Sequence, residues 1–222
     1  MKATNMRVTA RRRQLATLTA FMLTFGLCGQ GLAQCRPVGE RTQDIGCWII
    51  ERQPLGQLQT ASLFWYLGRY RSREEAQAAR GPKGIVIEAY GSSWLSTIEQ
   101  AGWRQPEAER VIVIGPLQIT KPGVEYTAQY MEGTFTPGMS TDAHYHPGPE
   151  AIYTLTGEVC FEMPHGNIVG RAGEGIVMES GHLHTLTATG IEQRRSLALV
   201  VYESAQPWRF PSAGWEPQGL CK

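Results

Sequence analysis

Residues Gly138–Gly157 read GMSTDAHYHPGPEAIYTLTG. The chain has five histidines. Two of them, His144 and His146, stand here with a single tyrosine between them, and Glu150 follows. On a strand, residues i and i+2 point to one face, about 7 Å apart. Both imidazoles can then aim at one point while Tyr145 points away. Pro147-Gly148-Pro149 turns the chain, and Glu150 opens the next strand, from which a carboxylate oxygen can reach the same point. Two neutral imidazoles and a carboxylate suit a divalent transition metal. Gly138 and Gly157 allow tight turns at either end of the stretch. A fourth ligand has to come from elsewhere, and His165, His182 and His184 are the remaining histidines. On their own, two histidines on a strand are equally well pH-titrating surface groups.

The elements around this stretch are short and strand-like. From Glu125 onward, short strand-like runs recur at regular spacing: Glu125–Phe135, His144–His146, Ile152–Leu155, Glu158–Met163, Gly175–Met178, Thr185–Ala188 and Leu197–Tyr202. Gly and Pro punctuate them, which argues an antiparallel sandwich or barrel. Residues 44–115 have another texture. Strands are expected over Asp44–Arg52, Ala61–Tyr70, Gly84–Tyr90 and Arg110–Ile114. A helix is expected over Ser72–Arg80, with Ser72 as its cap, Glu75 completing a capping box and Gly81-Pro82 ending it. The segment with Trp94, Leu95, Ile98 and Trp103 fits neither period. This region has no histidine, no phosphate loop and no nucleophile motif. Trp48, Trp65, Trp94 and Trp103 are read as packing residues.

The histidine stretch matches the first cupin motif, G-x5-H-x-H-x3-E-x6-G, at every fixed position: Gly138, His144, His146, Glu150 and Gly157. The second motif, G-x5-P-x-G-x2-H-x3-N, is similar to the run at Gly173, Gly181 and His184. Glu179 stands where the proline should be and Ala188 where the asparagine should be. The resemblance implies a mainly β fold: a cupin antiparallel β-barrel (double-stranded β-helix, or jelly roll) over residues 117–205. An N-terminal α+β extension over 34–116 and a C-terminal tail over 206–222 complete the expected organisation. It implies one divalent transition metal (Fe, Mn, Zn, Ni or Cu) held by His144, His146, Glu150 and His184. His182 is then a residue of the barrel mouth, His165 lies in a solvated turn, and Glu179 is a mouth or exposed turn residue. Cupins include metal-dependent oxidoreductases of the dioxygenase type acting on small oxygen-containing substrates. They also include non-catalytic small-molecule-binding and structural modules, and the motifs do not separate the two. An acid–base helper would come from Tyr126, Tyr130, Tyr153 or Glu132, with no spacing to single one out. Pairing of barrels through their outer sheets implies a homodimer.

The ends bear on location. Residues 1–33 carry Lys2, Arg7, Arg11, Arg12 and Arg13 with no acid, then an apolar run from Leu15 to Leu27, then Gly31-Leu32-Ala33. That order describes a secretory signal peptide, and the apolar run is too short for the roughly 20 residues of a membrane span. Leu32-Ala33-Gln34-Cys35 also approaches a lipobox, but Gln34 fills a position that is normally small. The Arg12-Arg13 pair faintly suggests twin-arginine export. The whole chain has 21 Lys+Arg and 20 Asp+Glu. Without the five basic residues of the leader it has 16 against 20, a formal charge of −4, which offers nucleic acid no basic face. Cys28 leaves with the leader; Cys35, Cys47, Cys160 and Cys221 remain, an even number suited to disulfides in an oxidising compartment. In Glu158-Val159-Cys160-Phe161-Glu162, Val159 and Phe161 face inward, so Cys160 faces outward and is expected to bridge to Cys35, Cys47 or Cys221. An exported location, periplasmic or secreted, follows, with no stable membrane span after cleavage. Intact-mass analysis or amino-terminal sequencing of the exported protein is expected to give a chain starting at Gln34. A start at a lipid-modified Cys35 would favour the lipobox instead.

Overall fold

The computed structural model describes residues 1, 34–104 and 109–222. The signal peptide expected over 1–33, with Cys28, therefore lies outside the described residues apart from Met1. The elements follow in chain order: β1 (Cys35–Pro37), β2 (Gly46–Gln57), β3 (Ser62–Tyr70), α1 (Arg73–Ala79), β4 (Gly84–Ala89), β5 (Ser92–Glu99), β6 (Glu109–Gln118), β7 (Glu125–Phe135), β8 (His144–Tyr145), β9 (Glu150–Thr156), β10 (Glu158–Met163), β11 (Gly166–Arg171), β12 (Gly175–Met178), β13 (Thr185–Thr189), β14 (Arg194–Glu203) and β15 (Phe210–Pro211). The fold is mainly β, as the resemblance implies, with its sheets packed as in a jelly roll.

A six-stranded sheet in the order β1-β2-β7-β14-β9-β12 is the centre of the molecule. Its two faces follow the strand period of two. On β7, Met131, Gly133 and Phe135 look to one side, and Ala128 and Tyr130 to the other. On β14 the same division separates Arg194, Ser196 and Ala198 from Leu197, Leu199 and Val201. The first face closes against the three-stranded sheet β11-β10-β13, with Phe135, Ile152, Val159, Phe161, Ile176 and Leu186 in one cluster. The second face is covered by the four-stranded sheet β4-β5-β3-β6, whose Trp65, Leu67, Trp94 and Ile98 pack against Tyr130, Leu197 and Leu199. The central sheet runs across residue 116: β2 is paired antiparallel along β7, from Gly46 opposite Thr134 to Gln57 opposite Glu125.

The helix forms where its cap predicts. Ser72 accepts a hydrogen bond from the Glu75 amide at 3.2 Å, and Ala76 packs against Tyr70, Val86 and Leu95. The segment that fitted neither period is, from Trp94 to Ile98, part of β5, a central strand buried on both faces, and Trp103 lies beyond it, edge-on to Tyr66. Leu95 meets the helix and Trp94 meets the neighbouring sheet. A strand buried twice has no polar alternation to read. Trp48, Trp65 and Trp94 are buried as expected, with Trp65 donating to Ser96 Oγ at 2.7 Å and Trp94 to the Ala89 carbonyl at 3.0 Å.

Val159 and Phe161 face the barrel interior and Cys160 faces out, joined to Cys221. The other bridge joins Cys35 to Cys47, register partners on the parallel pair β1 and β2. The tail that carries Cys221 is also held by the buried Glu162. Its carboxylate accepts the backbone N–H groups of Gln218, of Gly219 at 3.0 Å and of Leu220 at 2.9 Å. A non-reducing peptide map is expected to recover Cys160 with Cys221 and Cys35 with Cys47. The Cys160–Cys221 bridge spans 61 positions, so its chain-entropy contribution is about 4 kcal/mol. Cys221→Ser should lower the denaturation midpoint accordingly, and an unchanged midpoint would show that Glu162 alone holds the tail.

Candidate metal centre

His144, His146 and His184 are buried, and one ring nitrogen of each lies within 4.8 Å of those of the other two. β8 places His144, and His146 follows directly after the strand. His144 exchanges both backbone hydrogen bonds with His184, each at 2.9 Å, which sets the two rings side by side with centroids 4.5 Å apart. His184 directly precedes β13, after a turn in which the Gly181 amide donates to the His146 carbonyl at 2.8 Å. That bond holds the second histidine segment in place without the motif's proline. Gly157 ends the β9 side with φ +68°, and a Cβ there would meet the Arg194 backbone at 2.9 Å. A glycine is required at that turn by both its conformation and its neighbour.

Each imidazole is oriented by the main chain. Nδ1 of His144 is 2.8 Å from the Asp142 carbonyl oxygen, and that of His184 is 2.8 Å from the His182 carbonyl. Nδ1 of His146 is 2.8 Å from the Trp208 carbonyl, in the tail. A carbonyl can only accept, so each Nδ1 carries the proton and a neutral ring turns its Nε2 lone pair inward. Burial pushes the His144 imidazole down to about 3, helped by the neighbouring His184 and His146, and burial likewise lowers His146. Burial would raise the Glu150 carboxyl, and positive charge at the His146 and His184 positions holds it down to about 2. Its Oε2 lies 3.7 Å from His146 Nε2 and 3.3 Å from His184 Nε2. His146 Nε2, His184 Nε2 and Glu150 Oε2 are all buried with no hydrogen-bond partner. Three inward-facing acceptors left unpaired in the interior are costly unless a cation satisfies them. The residues therefore fit a divalent metal.

The tail closes the site. The Trp208 ring stacks on His146, centroids 5.4 Å apart and 18° from parallel, and Phe210 on β15 stacks on Tyr145. Arg209 is ion-paired with Asp142, next to the carbonyl that orients His144. No sequence signal pointed to Trp208 or Arg209, because their partners are about 60 residues away. Of the other sequence candidates, Glu132 lines the same cavity and the rest stand apart from the cluster. His165 is exposed in the turn between β10 and β11, and His182 and Glu179 are exposed near the rim. Tyr126, Tyr130 and Tyr153 belong to the opposite face of the central sheet, and Tyr130 donates to Gln53 Oε1 at 3.0 Å. The Glu132 carboxylate is ion-paired with Arg41.

Residues 131–202 match the Cupin domain family, Cupin_2. Similar solved structures include a cupin-2 domain containing protein from Shewanella frigidimarina, at 20% identity over 32% of this chain and 68% of that one, TM-score 0.29. A predicted oxalate decarboxylase from Thermotoga maritima is 23% identical over 36% of this chain and 83% of that one, TM-score 0.31. An oxalate oxidase is 21% identical over 35% of this chain and 42% of that one, TM-score 0.30. No curated protein matches the chain.

Removing the tail from Ser204 onward, with Cys160→Ser to avoid a free thiol, deletes the Trp208 carbonyl. Loss of a partner that orients a ligand histidine typically costs about 10–100-fold in metal affinity. Titration with Zn²⁺ against a chelator should show a drop of that size relative to full-length Cys160→Ser/Cys221→Ser, with both variants checked for folding by circular dichroism. Equal affinities would mean that packing alone fixes His146.

Proposed function

We propose that this chain, a member of the cupin superfamily through residues 131–202, holds one divalent transition metal with His144, His146, Glu150 and His184. On this reading it acts as a metal-dependent oxidoreductase on a small oxygen-containing substrate. The observation that carries the reading is the set of buried, unpartnered acceptors, His146 Nε2, His184 Nε2 and Glu150 Oε2, beside the third imidazole. A six-coordinating metal such as Fe, Mn or Ni would keep positions for exogenous oxygen donors beside these four protein ligands and could polarise a bound oxygen. The chain's own contribution is positional. Asp142, His182 and Trp208 carbonyls fix the three rings, Glu150 supplies the negative charge, and Trp208 covers His146 and limits the entry of water.

Two disulfides, and the lack among the described residues of any helix long and apolar enough to cross a membrane, support the further reading that the protein works in an oxidising, exported compartment.

Metal analysis of protein purified from its own compartment should find about one divalent ion per chain, and this ion should be largely lost in His146→Ala and kept in His165→Ala. Equal metal content in the wild type and His146→Ala would remove the assignment. With metal content established, an oxygen electrode and a screen of small oxygen-containing substrates test the catalytic part. Metal-dependent oxygen uptake is expected. No uptake with Fe, Mn, Ni, Cu or Zn bound would leave a binding module rather than an enzyme.

A further inference from the structure

The cavity above the three histidines is lined on its far side by a buried cation. Arg194, at the start of β14, is 2% exposed and looks into the same space as His144, His146, Glu150 and His184. It makes one hydrogen bond, from Nη2 to Ser196 Oγ at 2.7 Å, and its guanidinium lies 4.5 Å over the Phe135 ring. Nε and Nη1 are buried with no partner. Burial lowers the guanidinium only to about 10, so it is charged at neutral pH. No carboxylate is ion-paired with it among the described residues. The chain makes room for this arrangement, since a Cβ on Gly133 would stand 2.7 Å from Nη2. Any side chain at 133 would displace the guanidinium.

A cation buried with N–H groups to spare is costly, and the usual remedy is a paired anion. Here an anionic ligand in the cavity that Arg194 lines would supply it. The cavity volume of about 40 Å³ holds the equivalent of about three waters, which matches a molecule of a few non-hydrogen atoms. A guanidinium presents paired N–H donors in a plane, the geometry that a carboxylate accepts. Phe135, Ile152 and Leu186 give the space apolar walls, and the other charged side chains that line it, Glu132 and Arg209, are ion-paired with Arg41 and Asp142.

We infer that Arg194 is the anchor of the substrate and that the substrate class is a small carboxylate, of the size of acetate or glycolate, seated between Arg194 and the histidine cluster. The contact with Arg194 stands without the metal; the placement of the molecule's other end beside the cluster rests on the metal-binding reading above. The anchor orients the carboxylate and selects against neutral molecules of the same shape.

Calorimetric titration of metal-loaded and metal-stripped protein with acetate, glycolate and acetamide tests this. Acetate and glycolate should bind both forms, glycolate more tightly to the loaded one, and acetamide should bind neither. Arg194→Met should keep the wild-type metal content and lose about 10–100-fold in acetate affinity, the range for a hydrogen bond to a charged group. Arg194→Lys should recover part of it. Acetate and acetamide binding the wild type equally well, or no carboxylate binding at all, would overturn the inference whether or not the variants fold. Unchanged acetate affinity in a folded Arg194→Met would do so too. A wild type that binds acetate but no metal would remove the metal reading and leave the anchor standing.

Discussion

Three imidazoles are buried around one space, and much of the barrel's arrangement follows from keeping them there. Burying an imidazole leaves two polar nitrogens to satisfy, and its lone pair must be aimed. The chain answers with main-chain carbonyls on every Nδ1. A carbonyl is positioned by the backbone, so it cannot swing away as a side-chain acceptor can. For His144 and His184 the acceptor is two residues upstream and comes with the local chain path. For His146 it is Trp208, and that choice obliges the C-terminal segment to return over the barrel.

That obligation accounts for features that would otherwise look unrelated. β15 pairs with β8, Phe210 stacks on Tyr145, and Arg209 meets Asp142. Farther along, Glu162 gathers three backbone N–H groups of the tail and Cys160 is bonded to Cys221. An irregular segment has few internal hydrogen bonds and loses much conformational entropy on ordering. A carboxylate clasp and a covalent bridge offset that loss. The far face of the central sheet is stabilised separately, by the apolar layer shared with β3 and β5, so the site face is free to carry polar residues.

The sequence carried the part of this that is local. His144 and His146 on one strand, Glu150 on the next and a glycine at 157 are readable from the two-residue strand period and turn chemistry alone, and the structure brings these side chains together. The outward direction of Cys160 came from the same alternation, but its partner did not, because three pairings of four cysteines fit equally well. Trp208 was invisible for a different reason: its contribution is a backbone carbonyl, which every residue has. Arg194 was hidden by its neighbours. In Glu192-Gln193-Arg194-Arg195-Ser196 it reads as one charge in a polar turn, and only the pairing of Arg194 with Phe135 across β7 and β14 shows which arginine points inward. β5 was unreadable because burial on both faces erases the pattern.

The cavity has one further property that bears on what it is for. Glu150 and Arg194 are opposite charges lining one small space, yet they do not pair. A direct buried ion pair would have relieved both at once, with the remaining N–H groups and lone pairs still to satisfy. Instead Glu150 is turned to the histidines and Arg194 to Ser196 and Phe135. Keeping them apart leaves two unmet demands, one for a cation beside Glu150 and the imidazoles, and one for an anion beside Arg194. On the reading proposed above, that separation would let the interior distinguish the two ends of a small, charged molecule.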